Sequence, residues 1–129
     1  MAGESGAGGV NRYAAGESDR RPWGDWAVLD AGPGYTVKRI RVIPGGILSL
    51  QRHRHRGEHW TVVAGIARVT LNEETFEVRA GHSVTIGIGD IHRIQNPGSE
   101  EVVFIEVQHG AHLAEDDIER LEDVYGRKA

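Results

Sequence analysis

The sequence has no cysteine, one methionine and two phenylalanines among its 129 residues. Without cysteine, disulfides and thiolate metal sites are excluded. No apolar run approaches the roughly 18 residues that span a bilayer, and the N-terminus lacks the apolar stretch of a signal peptide. The net charge of −4 gives no basic surplus of the kind that nucleic-acid binding needs. We therefore expect a cytoplasmic protein with neither nucleic acid nor membrane as partner.

What the sequence does contain is a series of short β-type segments. Between residues 21 and 113, alternating or β-branched runs are separated by Gly, Pro and Asn, which is typical of a sandwich or barrel. Residues 1–20 are rich in Gly, Ala and Ser and have almost no large apolar side chain, so they are predicted to be a disordered tail. The expected architecture is an all-β domain over residues 21–113.

The C-terminal segment, residues 114–129, shows a different pattern. In "AEDDIERLEDVYG" an acidic start is followed by apolar residues at helical spacing, and acidic residues favour a helix N-terminus. These residues predict one acidic helix and tail packed on the barrel. The apolar positions are Ile118, Leu121 and either Val124 or Tyr125.

The stretch "SLQRHRHRGEHW" concentrates imidazole, amide and carboxylate groups between two apolar runs. Gln51 and His53 are two residues apart on a strand and therefore share a face. A hairpin through "RHRG" brings Glu58 back beside them, and the glycine-rich "GIGD" leads to His92 at the start of a later strand. These groups are suitable ligands for a divalent cation. The alternative is a polar barrel mouth that holds no metal.

Two motifs resemble the paired motifs of the cupin superfamily. Residues 45–65 read Gly, five residues, Gln-x-His, four residues, Glu, six residues, Gly, with glutamine in place of the family's first histidine. Residues 81–96 read Gly, five residues, Gly-x-Gly, two residues, His, three residues, Asn, with glycine in place of proline. The resemblance implies a double-stranded β-helix, the jelly-roll barrel of cupins.

Within that superfamily, "RPWG", "PGGILSLQRHRHRGEHW", "HRIQNPG", "FIEVQ" and "YGR" look like the C-terminal cupin domain of type II phosphomannose isomerases, over about residues 21–127. The likeness implies metal-dependent interconversion of mannose 6-phosphate and fructose 6-phosphate, which would supply mannose for sugar-nucleotide and polysaccharide synthesis. It implies Zn²⁺ as the metal, with Mn²⁺, Co²⁺, Ni²⁺ and Fe²⁺ as alternatives. The implied ligands are Gln51, His53, Glu58 and His92.

The same resemblance bears on partners. In that family the cupin domain usually follows a guanylyltransferase, which we expect to be absent from this chain, so a separate guanylyltransferase is a candidate partner. Edge strands in barrels of this kind often pair, and a homodimer is expected.

Proton transfer has three candidate residues. His55 lies in the "RHRG" turn and is either a solvated turn residue or an acid/base group at the cavity rim. Glu106 interrupts an apolar strand, so it either pairs with a structural arginine or faces the cavity as a base. Lys38 is the third candidate.

Phosphate binding is predicted for Arg39, Arg41 and Arg93. In "VKRIRV" the two arginines share one face, and Lys38 lies on the other. That arginine face is either a solvated sheet surface or a phosphate site, for which guanidinium geometry is well suited. Arg93 follows His92 and could reach a phosphate from the rim.

Two other functions remain open at this point. The chain could be an Fe(II) dioxygenase or another metal-dependent cupin enzyme, although glutamine is a weak ligand for that chemistry. It could also be a non-catalytic sugar-binding module, because a fold alone does not fix a function.

Overall fold

The structure is a computed structural model that describes residues 9–126. The described chain is almost entirely β-structure, and no helix in it is long and apolar enough to cross a membrane. The all-β prediction is confirmed. The strands are β1 (Val10–Asn11), β2 (Ser18–Arg21), β3 (Gly24–Gly32), β4 (Tyr35–Val42), β5 (Leu50–Arg52), β6 (Arg56–Ala64), β7 (Ile66–Leu71), β8 (Glu74–Arg79), β9 (Ser83–Ile86), β10 (His92–Gln95), β11 (Val102–Gly110), β12 (His112–Leu113) and β13 (Glu119–Glu122).

Two main sheets enclose the core. One has six strands in the order β2-β3-β4-β11-β6-β9, and the other has five in the order β13-β5-β10-β7-β8. A short parallel pair, β1-β12, lies beside them. Phe104 and Val62 from the first sheet join Val69 and Ile94 from the second in one cluster of buried apolar side chains. Burial of these apolar faces holds the two sheets together.

The inner face of the six-stranded sheet changes from apolar to polar along its length. On β4, Ile40 is buried among apolar residues, and Lys38, on the same face, is also buried. On the paired β11, buried Phe104 is followed two residues later by buried Glu106. Burying charged groups is costly unless they are paired, so this polar end of the barrel interior marks a functional site rather than core.

The predicted C-terminal helix is wrong. Residues 115–117 form a single 3₁₀ turn, and the chain then continues as β13, which pairs antiparallel with β5 at the edge of the five-stranded sheet. On the outer face Glu119 receives two hydrogen bonds from Arg52, at 2.9 and 3.1 Å. The segment therefore adds a strand where the sequence pattern indicates a helix.

The acidic side chains explain this difference. Asp117 does not cap a helix, because its carboxylate accepts the backbone N–H groups of Arg54 and His55, both at 3.0 Å. Glu115 accepts hydrogen bonds from Tyr13 and from Lys38 Nζ, the latter at 3.1 Å. Tertiary contacts of this kind override local helix propensity, which is worth only tenths of a kcal/mol per residue.

The predicted N-terminal tail is ordered over residues 9–20. This segment contributes β1 and part of β2, and between them Tyr13 is buried against the edge of Trp26, with 6.2 Å between ring centroids. The prediction failed because a single aromatic anchor and two strand pairings suffice to order the segment. Residues 1–8 of the predicted tail, and residues 127–129 at the other end, lie outside the described chain.

Candidate metal centre

Three side chains from separate parts of the chain converge inside the barrel. His53 follows β5, Glu58 lies on β6 and His92 begins β10. His53 Nε2 is 3.1 Å from His92 Nε2 and 3.1 Å from Glu58 Oε2, and one ligand atom of each residue lies within 4.8 Å of the other two. All three side chains are buried. The sequence prediction that these three residues meet agrees with this geometry.

Hydrogen bonds from the far side of each imidazole fix its tautomer. His53 Nδ1 lies 2.8 Å from the Asp117 carbonyl oxygen, and His92 Nδ1 lies 2.9 Å from the Asp90 carbonyl oxygen. A carbonyl can only accept, so each Nδ1 carries a proton, and in the neutral form of each ring Nε2 is then the unprotonated atom that faces the other ring. Metal-binding histidines in proteins are oriented in this way.

The cluster therefore fits a divalent cation. Two bare nitrogen lone pairs and a carboxylate oxygen about 3 Å apart repel one another unless positive charge lies between them. Burial lowers the pKa of His92, which disfavours a protonated ring as the source of that charge, although the Glu58 carboxylate acts in the opposite direction. The donors, two imidazoles and a carboxylate, suit Zn²⁺ and related divalent ions.

Glu58 is kept ionised by its surroundings. Burial would raise its pKa, but the charge of the Arg56 guanidinium holds the pKa of Glu58 well below its usual range. Arg56 Nε donates to Oε2 at 2.9 Å, and Trp60 Nε1 donates to Oε1 at 2.8 Å. Both partners lie two residues from Glu58 on β6, so strand alternation places all three on one face.

Gln51 lies on the same wall as His92. The two residues are directly opposite each other in the antiparallel pairing of β5 and β10, and both line the same cavity. The Gln51 amide nitrogen donates to Ser49 Oγ at 2.7 Å, so the amide oxygen is the atom that this residue can offer to a cation.

The cavity beside these residues lies between the two sheets. Its free space is about 590 Å³ when the open mouth is counted, and about 60 Å³ when only the room for the centre of a water-sized sphere is counted. Tryptophan side chains, Trp23, Trp26 and Trp60, form part of its apolar lining. Five basic side chains line it against three carboxylates, and two of the five, Arg21 and Arg93, also pair with Asp19 and Glu122 outside the lining. In a chain of net charge −4, this local excess favours an anionic ligand.

Glu106 lines this cavity. This is the position that the sequence analysis gave for a base, as the alternative to pairing with a structural arginine. It pairs across the sheet with Lys38 on one side and Trp60 on the other. Burial, reinforced by the negative charge of Glu58, raises the pKa of Glu106 to about 7, against the opposing effects of Lys38 and Arg56. Glu106 can therefore exist in both protonation states near neutral pH, as an acid/base group must.

Lys38 also lines the cavity, but its ammonium group is already engaged. Nζ is 3.1 Å from Glu115 Oε2 and lies 4.2 Å from the ring centroids of both Tyr13 and Trp26. An ammonium group held by these contacts suits electrostatic positioning better than proton abstraction.

The structure does not bring His55 to the cavity. Its side chain is exposed, its ring packs against His112 with 5.5 Å between centroids, and its backbone N–H is bound by Asp117. This is the position of a turn residue, which is the other alternative that the sequence left open.

Two of the three predicted phosphate ligands are also outside the cavity. Arg39 and Arg41 lie on the outer face of the six-stranded sheet, where they line a groove with Asp19 and Asp25, so the prediction that they bind phosphate in this cavity is wrong. The physical reason is strand alternation, because Lys38 and Ile40 occupy the inner face. Arg93 does line the cavity, where its Nη1 is 2.8 Å from Glu122 Oε1.

Sequence reasoning missed several cavity residues. Arg56 and Trp60 are at i−2 and i+2 from Glu58, and strand parity alone could have assigned them to the site. Glu115 and Arg120 were missed because the C-terminal segment was predicted to be a helix. Arg21 lies next to the predicted tail, and its Nη2 reaches Glu115 Oε1 at 3.4 Å.

Solved structures with the same fold confirm the predicted double-stranded β-helix. A Klebsiella pneumoniae protein with a double-stranded β-helix domain has a TM-score of 0.67 and 22% identity, covering 87% of this chain and 85% of its own. The cupin domain of Schizosaccharomyces pombe Cnp3 has a TM-score of 0.65 and 20% identity, covering 67% of this chain and 64% of its own. At these identities the likeness establishes the fold alone.

Sequence relatives are much closer. Alginate biosynthesis protein AlgA of Pseudomonas aeruginosa is 53% identical over 109 residues, which are 84% of this chain and 23% of AlgA. Xanthan biosynthesis protein XanB of Xanthomonas campestris is 51% identical over 107 residues, and mannose-1-phosphate guanylyltransferase ManC of Salmonella typhimurium is 51% identical over 107 residues, each covering 83% of this chain. The chain spans less than a quarter of the length of these relatives.

The family model described as mannose-6-phosphate isomerase C-terminal matches residues 9–123, which include both cupin-like motifs and both main sheets. The buried His53, Glu58 and His92 cluster and the cavity beside it lie within that match. This chain therefore belongs to the family of mannose-6-phosphate isomerase C-terminal domains.

Proposed function

We propose that this protein is a metal-dependent aldose–ketose isomerase that interconverts mannose 6-phosphate and fructose 6-phosphate. One observation carries the proposal: a cluster that fits a cation and a buried carboxyl group that titrates near neutrality open into one positively charged cavity. Membership of the family supports the choice of substrate.

The reaction requires little more than a mobile proton and a stabilised oxyanion. Glu106, as the carboxylate, takes the proton from C2 of the open-chain aldose and returns it to C1, while a proton moves from O2 to O1. The carbonyl double bond thereby shifts from C1 to C2 with no net change in atoms. A divalent cation held by His53, Glu58, His92 and Gln51 would supply Lewis-acid stabilisation of the negative oxygen.

The other cavity residues hold the reacting groups in place. Arg56 and Trp60 fix the Glu58 carboxylate, and the carbonyl oxygens behind His53 and His92 fix the two rings. Lys38 lies beside Glu106 across the sheet and favours its ionised form. Side chains that are locked before substrate binds need no reorganisation during the reaction.

The proposed metabolic role follows from the relatives. AlgA and XanB are named for polysaccharide biosynthesis, and ManC for guanylyltransferase activity on mannose 1-phosphate. We propose that this chain supplies mannose 6-phosphate for such sugar-nucleotide synthesis, in which a guanylyltransferase acts. We also propose Zn²⁺ as the metal, because the ligand set is rich in imidazole.

The proposal predicts that turnover depends on metal held by His92. Protein stripped with a chelator should lose isomerisation of mannose 6-phosphate, and adding back one equivalent of a divalent ion should restore it. The variant His92→Ala should retain far less metal by elemental analysis and show no measurable turnover. The control His82→Ala removes an exposed histidine and should behave as the wild type. Full turnover in metal-free protein would contradict the proposal.

A further inference from the structure

Strand β13 brings one arginine to the wall of the cavity. Arg120 pairs with Gln51 across β13 and β5, and Gln51 pairs with His92 across β5 and β10. Directly opposite residues in a sheet share a face, so the three side chains form a row on the inner surface. All three line the cavity. The backbone of Arg120 is two strand spacings, roughly 10 Å, from that of His92.

A bulge reinforces this placement. The register of β13 against β5 shifts between Arg120 and Glu122, immediately after the pair with Gln51. Bulges bend a strand and redirect side chains, and they occur often next to active sites. On the outer face, the bidentate contact between Arg52 and Glu119 holds the strand in register.

Arg120 is the cavity cation with unused hydrogen-bonding capacity. Arg21 is committed to Asp19 and Glu115, and Arg56 to Glu58. Lys38 is committed to Glu115, and Arg93 to Glu122 and the Leu48 carbonyl. Arg120 Nε, by contrast, is buried with no hydrogen-bond partner among the described residues. A buried guanidinium donor without an acceptor costs free energy, so water or a bound ligand is needed as the acceptor there.

We propose that Arg120 binds the anionic end of the ligand, and that this end is a phosphate monoester. The planar guanidinium fork matches phosphate oxygens in two parallel hydrogen bonds. Five basic side chains line the cavity against three carboxylates, which favours an anionic group there. Arg120 and His92, at the two ends of one row, then hold opposite ends of one small molecule. The phosphate assignment rests on the proposed function, whereas anion binding by Arg120 rests on the geometry alone.

The test is a binding measurement, so that it does not depend on turnover. Calorimetry on the metal-loaded protein should detect binding of fructose 6-phosphate, and weaker binding of inorganic phosphate. Arg120→Gln should weaken the affinity for fructose 6-phosphate about 10- to 100-fold, the range expected for charge-assisted hydrogen bonds. Fructose without phosphate should bind equally to both proteins. Arg120→Lys keeps the positive charge but not the planar guanidinium fork. Its affinity for fructose 6-phosphate should therefore lie between those of the wild type and of Arg120→Gln.

The matched control is Arg79→Gln, because the Arg79 side chain is 65% exposed and lies on β8, away from the cavity. Unchanged sugar-phosphate affinity in Arg120→Gln, or no phosphate binding by the wild type, would overturn the proposal even in an active isomerase. Binding that depends on Arg120 without any isomerisation would support it and would instead refute the proposed function. If Arg120→Gln does not fold, Arg120→Lys decides, because wild-type affinity in that variant would exclude a bidentate contact.

Discussion

Replacing Glu58 with glutamine is expected to lower the free energy of unfolding of the metal-free protein by about 3–5 kcal/mol. Glu58 and Arg56 are both buried, with 2.9 Å between Oε2 and Nε. Removing one partner of a buried ion pair leaves the other charge uncompensated, and that charge cannot reach water. The same variant removes the anionic ligand of the proposed metal centre, so its metal content should also fall. Chemical denaturation with and without chelator measures both effects.

A second substitution separates the two effects. Adding Arg56→Met to Glu58→Gln removes the uncompensated positive charge of Arg56. The double variant should therefore recover part of the lost stability while metal binding stays weak. The control Glu77→Gln changes an exposed carboxylate 3.7 Å from Arg79, a kind of pair that contributes at most about 1 kcal/mol. If Glu58→Gln were as stable as the wild type in the presence of chelator, the ion pair would not contribute the expected stability to the fold.

Sequence reasoning predicted that His53, Glu58 and His92 lie together because the signals are local. Gln51 and His53 are two residues apart on one strand, so their side chains point to the same face. A short hairpin then places Glu58 near them, so the spacing in the sequence alone predicts that the three side chains are close. The same alternation placed Lys38 on the opposite face of its strand from Arg39 and Arg41. The alternation of side chains along a strand does not determine which of its two faces points into the barrel. That depends on which strands pair, and the outward position of Arg39 follows from the order β3-β4-β11.

The C-terminal segment shows where local reasoning fails. Its apolar residues fit a helical period, but Val124 and Tyr125 are exposed in the structure and only Ile118 lines the cavity. The segment is a strand because the edge of β5 offers hydrogen-bonding partners, and no window of the sequence contains that information. One consequence is that Arg120, two residues into that strand, was not recognised as a cavity residue.

The variant Glu106→Gln is expected to lower kcat by about 10²–10⁴-fold, the range for loss of a general acid–base group. Glutamine has nearly the same shape and can keep a hydrogen bond with Gln108, but it cannot take a proton. Metal content should stay close to that of the wild type, because Glu106 does not belong to the His53, Glu58 and His92 cluster. This combination distinguishes a proton-transfer role from a ligand role. The measurement is single-turnover isomerisation of mannose 6-phosphate beside elemental analysis.

The pH dependence gives an independent check on Glu106. Its carboxylate is the active base, so turnover of the wild type should rise with pH through an apparent pKa no higher than about 7, since a bound cation shifts it downward. Because the folded-state pKa lies above the ordinary 4.5, Glu106 costs stability as the pH rises from about 4.5 to about 7, and the full cost is present above that window. Glu106→Gln should therefore lose the acid limb of the rate profile and be at least as stable as the wild type at pH 8. An unchanged acid limb in this variant, with Glu74→Gln as the exposed control, would assign the base to another residue.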